Sequence, residues 1–86
     1  MKTKAYKSFK KQYRALPEGI RAKTNKALFF LEQNYRHPSL HTKKIQGAEG
    51  LWEARIDIHY RMTFEIEGDA IYLRAVGNHD EVLKNP

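Results

Sequence analysis

The chain has no cysteine among its 86 residues, which excludes a disulfide framework and a thiolate metal site and fits a reducing cytosol. It also lacks any apolar run near the roughly 20 residues that cross a bilayer. No apolar segment follows the lysine-rich start, so neither membrane contact nor a signal peptide is expected, and the reading is a soluble, cytoplasmic protein. Internal repeats, low-complexity tracts and interdomain linkers are missing too. The length suits one small domain over residues 1–86, able to fold alone without much margin.

Acid is scarce in one half only. Residues 1–50 carry twelve Lys and Arg against three Asp and Glu, whereas residues 51–86 carry four against seven. The differences, +9 and −3, sum to the formal charge of +6. A basic half of this kind meets polyanions, because neutralising phosphates releases condensed counterions. An acidic protein partner would use the same charge, and lysines that only solubilise helix surfaces are the plain alternative.

What the chain does have is a long alternation, LWEARIDIHYRMTFEI from Leu51 to Ile66. Trp52, Ala54, Ile56, Ile58, Tyr60, Met62, Phe64 and Ile66 are apolar, and the positions between them from Glu53 to Glu65 are polar or charged. Such alternation means strands with one buried and one wet face. Sixteen residues exceed an ordinary strand of about 5 to 6, so an antiparallel hairpin is expected. Unbroken parity through the bend requires an odd loop. A loop of Ile58-His59-Tyr60 satisfies this, pairs Asp57 with Arg61, and puts Arg55 and Arg61 together on the wet face.

Before the hairpin, Lys2 to Leu16 contains six basic residues and no acid. Tyr6, Phe9, Tyr13 and Leu16 make one stripe of an amphipathic helix, with Ser8 as its N-cap and Pro17 as its stop. Its wet face, Lys7, Lys10, Lys11 and Arg14, lies on RNA or simply in water. A second helix should run from Pro17 or Glu18 to Asn34, its stripe of Ile20, Thr24, Ala27, Leu28, Leu31 and Tyr35 packing over a sheet. His37 and His41 are four apart, but Pro38 breaks the helix that would align them, so no metal site is expected. Lys43 and Lys44 lie in a short strand before the hairpin, where they grip phosphate or blunt a sheet edge.

Beyond the hairpin, Glu67-Gly68-Asp69 reads as a turn into a strand from Ala70 to Val76, with Ile71, Leu73 and Ala75 on one face and Tyr72, Arg74 and Val76 on the other. Gly77 and Asn78 then bend the chain. The expected fold is α+β, two N-terminal helices packed on one face of a small antiparallel sheet of three to four strands.

Seven short pieces, in order, carry a resemblance. They are Ser8-Phe9-Lys10-Lys11, Leu16-Pro17, His37-Pro38-Ser39-Leu40, Lys43-Lys44-Ile45-Gln46-Gly47, Leu51-Trp52-Glu53-Ala54-Arg55-Ile56, Tyr60-Arg61 and Gly77-Asn78-His79-Asp80-Glu81-Val82. No single piece is specific, but together they resemble the RelE/ParE superfamily of bacterial toxins from toxin–antitoxin pairs. The resemblance implies one of two activities. RelE-like members cut messenger RNA in the ribosomal decoding site, while ParE-like members poison DNA gyrase, and both are held inactive by a cognate antitoxin. A non-catalytic member that only binds an antitoxin is the third possibility.

Cleavage of RNA by its own 2′-hydroxyl needs a group to take that proton, a cation for the charge building on phosphate, and an acid for the leaving oxygen. The resemblance implies a phosphate contact for Arg61, whose other reading is the Asp57 ion pair. His79 sits where some RNA-cleaving members carry a His that gives or takes a proton, and is otherwise a surface histidine in a turn. Arg55 and Glu53, on the wet face, are expected as second phosphate contact and base. Lys43, Lys44, Lys10, Lys11 and Arg14 are expected to hold the RNA backbone of the message and of ribosomal RNA. No cofactor is expected. Two features depart from the family pattern: Leu83 stands where many RNA-cleaving members have an aromatic residue, and Met1 to Ala5 leaves only a short edge strand.

Overall fold

The computed structural model describes residues 1–86. In chain order it contains strand β1 (Lys2–Ala5), helices α1 (Lys7–Arg14) and α2 (Glu18–Gln33), a 3-10 turn (Pro38–Leu40), and strands β2 (Lys43–Lys44), β3 (Trp52–Arg55), β4 (Tyr60–Glu67) and β5 (Ala70–Asn78). Helix α3 (His79–Lys84) follows. The sheet has five strands in the order β1-β5-β4-β3-β2. It is mixed, because β1 runs parallel to β5 while the other pairs are antiparallel. The α+β class and the placing of α1 and α2 on one face hold; the expected three to four antiparallel strands are corrected to five. The short edge strand expected at the start is β1, whose parallel partner lies at the other end of the sequence, beyond the reach of local pattern.

Apolar alternation builds the core. Ala54, Met62, Phe64, Ile71 and Leu73 point from the sheet into a cluster completed by Phe9, Leu16, Ala27, Leu31 and Leu40. Phe64 is fully enclosed, which contributes about 1.5–3 kcal/mol from the side chain's removal from water. Helix α2 delivers Thr24, Ala27 and Leu31 to this core at helical spacing. Thr24 fits an apolar interior because its hydroxyl donates to Ile20 O at 2.8 Å.

One extra residue decides where β5 points. Thr63 pairs with Ala75 but Phe64 pairs with Leu73, so Arg74 is the unpaired residue of a β-bulge. Parity changes there. Ile71, Leu73 and Val76 therefore face the core, and Ala75 is buried on the opposite face beside Thr63, which corrects the expected grouping of Ala75 with Ile71 and Leu73.

Ser8 is likewise not the cap of α1. Tyr6 occupies that position without a side-chain bond. Ser8 Oγ instead donates to Arg74 O at 2.9 Å, Gln12 Oε1 accepts from Val76 N at 3.0 Å, and Tyr6 N donates to Leu73 O at 2.9 Å. These bonds satisfy the edge of β5 where β1 stops, as buried backbone groups require. The segment after β5 forms helix α3, capped by Asn78, whose side chain accepts from Asp80 N at 3.1 Å.

Candidate functional site

The site is built on the face of the sheet opposite the core, and the hairpin between β3 and β4 sets its shape. Trp52 pairs with Phe64, Glu53 with Thr63 and Arg55 with Arg61. Ile56 N then donates to Tyr60 O at 3.0 Å, leaving the three-residue loop Asp57-Ile58-His59. The loop is odd, as parity demands, but its centre is Ile58, one residue earlier than expected. Asp57 is the reason. Its Oδ1 accepts from His59 N at 2.8 Å and from Tyr60 N at 2.9 Å, so the carboxylate opens and caps the turn.

That cap removes the expected Asp57–Arg61 ion pair. The second Asp57 oxygen lies 3.4 Å from Lys23 Nζ on α2, and Arg61 takes only the backbone of Asp57. Burial opposes ionisation of Asp57, but the amides of His59 and Tyr60 and the Lys23 ammonium outweigh it and hold the carboxyl below its ordinary range.

Arg61 is fixed from several sides. Its Nη1 donates to Asp57 O at 2.5 Å and to Tyr60 O at 3.0 Å. Its Nε lies 3.8 Å from Glu53 Oε1, with side chains 11% and 7% exposed. Glu53 is thus far from the solvent-washed carboxylate that alternation suggests, and a charge so buried requires a partner. Lys43, 70% exposed, supplies a second cation 3.9 Å from the same oxygen. Thr63, next on this face, is fully buried, and its hydroxyl donates to Pro86 O at 3.1 Å. At the far end of the face the Tyr6 hydroxyl donates to Glu65 at 2.7 Å, which holds the phenol above its ordinary pKa, while Arg74 lies 3.4 Å from Glu65.

Helix α3 closes one side of this face. Val82 is buried, and a Cβ on Gly77, the ladder partner of Arg61, would come within 3.3 Å of Val82 Cγ2. His79 opens the helix. Its backbone N donates to His59 O at 2.7 Å, tying the helix start to the hairpin loop, and its ring Nδ1 sits 3.2 Å from Asp80 Oδ1. Its side chain is 42% exposed.

The fold therefore joins Arg61, Glu53 and Lys43 in one chain of contacts, sets Arg55 opposite Arg61, and ties His79 to the hairpin through backbone. Other expected residues stand apart. Lys44 pairs with Trp52 and places its Nζ 5.5 Å over that ring, away from Glu53. Lys10, Lys11 and Arg14 are exposed on α1, with Lys10 and Arg14 flanking an apolar groove of their own. Lys23 was not anticipated as a neighbour of the hairpin. The signal was an aspartate at the start of a tight loop, where its side chain caps the turn.

No protein-family model and no curated protein matches the sequence. Solved structures do match. A chain of the RelB-RelE antitoxin-toxin complex from Methanococcus jannaschii superposes with a TM-score of 0.74 at 26% identity, over 95% of this chain and 98% of that one. The chain has the fold of the RelE/ParE toxins. The YoeB/ParE toxin from Agrobacterium tumefaciens matches with a TM-score of 0.79 at 16% identity, covering 92% and 99% of the two chains. The intact RelBE toxin-antitoxin complex of E. coli gives 0.73 at 16% identity, covering 90% and 94%. Within this RelE/ParE frame, the pieces that carried the resemblance fall at structural junctions: Tyr60-Arg61 starts β4, and His79 to Val82 form the first turn of α3. Leu83 is half-buried on the same helix.

Proposed function

We propose that the protein is the toxin of a toxin–antitoxin pair and acts as a RelE-like, ribosome-dependent messenger RNA endoribonuclease. The observation that carries this reading is the Arg61–Glu53 pair on the polar sheet face, with Lys43 beside it and His79 at the neighbouring helix start. The toxin role draws support from structural relatives that are themselves named as RelE and YoeB/ParE toxins.

In this reaction the 2′-oxygen of the message bonds to the adjacent phosphorus, the bond from phosphorus to the 5′-oxygen breaks, and a 2′,3′-cyclic phosphate remains. Glu53 takes the 2′-hydroxyl proton. His79, oriented through Nδ1 by Asp80, donates a proton from Nε2 to the leaving 5′-oxygen. Arg61 has its Nη1 and Nε engaged internally, which leaves Nη2 for a phosphoryl oxygen, and the fixed guanidinium needs no reorganisation as charge develops. Arg55 is the second phosphate contact. Lys43 and Lys44, with Lys10, Lys11 and Arg14, hold the RNA backbone, and the chemistry requires no metal or cofactor.

The partner that silences this activity is a cognate antitoxin whose disordered, acidic segment folds onto the basic half of the chain. Relatives solved as RelB-RelE complexes support such a partner. Antitoxin affinity should fall steeply from low to high salt, and an affinity independent of salt would contradict the electrostatic account.

The test is induced expression with growth measurement and mapping of messenger RNA ends. Growth arrest with new transcript ends, abolished by Arg61→Ala, is the expected result. Arrest with intact transcripts and accumulating DNA breaks would replace the reading with a ParE-like gyrase poison. A third reading, a member that only binds an antitoxin, is favoured by the 11% exposure of Arg61 and by Leu83 in place of an aromatic residue. Under it, Arg61→Ala and His79→Ala leave growth unchanged.

A further inference from the structure

On the other side of the hairpin lies a cleft of about 210 Å³ between α2, the 3-10 turn and the end of β3. Lys23, Lys26 and Arg55 line it together with Ser39, over an apolar floor that includes Phe30. No acid lines it. Asp57, the partner of Lys23 at 3.4 Å, is also engaged with the hairpin amides. Lys26 has no carboxylate partner and lies 5.8 Å above the Phe30 ring.

Arg55 is the unusual member. Its Nε is enclosed and has no hydrogen-bond partner, the one buried side-chain polar atom in the molecule left in that condition. Buried donors are almost always bonded, so an orphan beside a cleft marks a place where something else accepts. A guanidinium fork with two ammonium groups suits an oxyanion with several acceptor oxygens, and phosphate matches it best.

We infer that this cleft is a second phosphate-binding site, distinct from the Arg61–Glu53 pair, that holds a phosphodiester of a nucleic-acid strand. One observation favours a nucleic acid over a free anion. Arg55 and Arg61 are partners in the β3–β4 ladder, so a strand passing the hairpin can place one phosphate with each. That the strand is RNA rests on the function proposed above; the phosphate site does not.

The experiment uses the full chain labelled with ¹⁵N and follows the arginine Nε–H signals by NMR. Inorganic phosphate is titrated first, then a short single-stranded RNA. The Arg55 Nε–H signal should move most with inorganic phosphate, and the Arg61 signal should move as well once RNA is added. Lys26→Gln, at an exposed position, should weaken phosphate binding about tenfold, the factor for losing one charged hydrogen bond. An Arg55 signal that ignores saturating phosphate, or responds equally in Lys26→Gln, would overturn the inference. So would an acidic peptide that moves it at lower concentration than RNA, since the site would then serve a protein partner. An Arg55 response from a protein that cleaves no RNA keeps this site and removes the ribonuclease reading, whereas cleavage without an Arg55 response removes this site and leaves Arg61 as the phosphate contact of the ribonuclease reading.

Discussion

Phe64 and Thr63 are neighbours on β4, and both are wholly inaccessible to water, yet they belong to opposite worlds. Phe64 faces Ala27, Leu31 and Ile71 in an apolar cluster. Thr63 faces a layer of Glu53, Ala75 and the chain end at Pro86. Enclosing apolar atoms is favourable in itself, while enclosing a carboxylate or hydroxyl costs free energy unless partners are supplied. The first face is a scaffold. The second keeps groups there that a scaffold would not need, and that is why the functional reading rests on it.

If the two faces differ as described, substitutions on each should fail in different assays. Phe64→Ala on the core face should lower unfolding stability by about 3–5 kcal/mol, measured by denaturant titration. Arg61→Ala on the polar face should lower RNA cleavage by about 100-fold or more, and a matching loss of stability without loss of cleavage would break the contrast. Smaller is the loss at Asp57, which caps the hairpin that presents Arg61. Its carboxyl is held below the ordinary value of about 3.9, so its ionised form stabilises the folded state above that pH. The contribution should fade as pH falls through the depressed folded value. Asp57→Asn should keep the turn but flatten this part of the acid-unfolding curve. Least of all, Gly77→Ala presses a methyl against Val82 and should cost about 1 kcal/mol in thermal unfolding, at the low end for overpacking.

Much of the scaffold was legible in the residues. The stripe of α2 and the alternation from Trp52 to Ile66 each follow from a periodicity repeated often enough to outweigh local exceptions. What was hidden depends on single residues or on distant partners. Arg74 occupies a bulge that no alternation reveals, and it moved Val76 to the core and Ala75 away from it. The pairing of β1 with β5 joins the two ends of the sequence. Alternation correctly placed Glu53 with Arg61 on the polar face but could not say that the pair is enclosed, because burial there depends on tertiary neighbours. Arg55 was grouped with the same site on parity alone. Its unbonded nitrogen and the lysines of α2 beside it become visible only in three dimensions.

Helix α1 has only eight residues and no side-chain cap at its start, too short to persist by itself. It is nonetheless fastened to β5 by the hydroxyl of Ser8 and the amide oxygen of Gln12, which receives the N–H of Val76. The fate of that amide is thus tied to a helix more than sixty positions earlier. In hydrogen exchange, the Val76 amide should open only when α1 detaches, so that the first helix and the last strand behave as one cooperative unit. Gln12→Ala would separate them, and Val76 would then exchange ahead of the α1 amides.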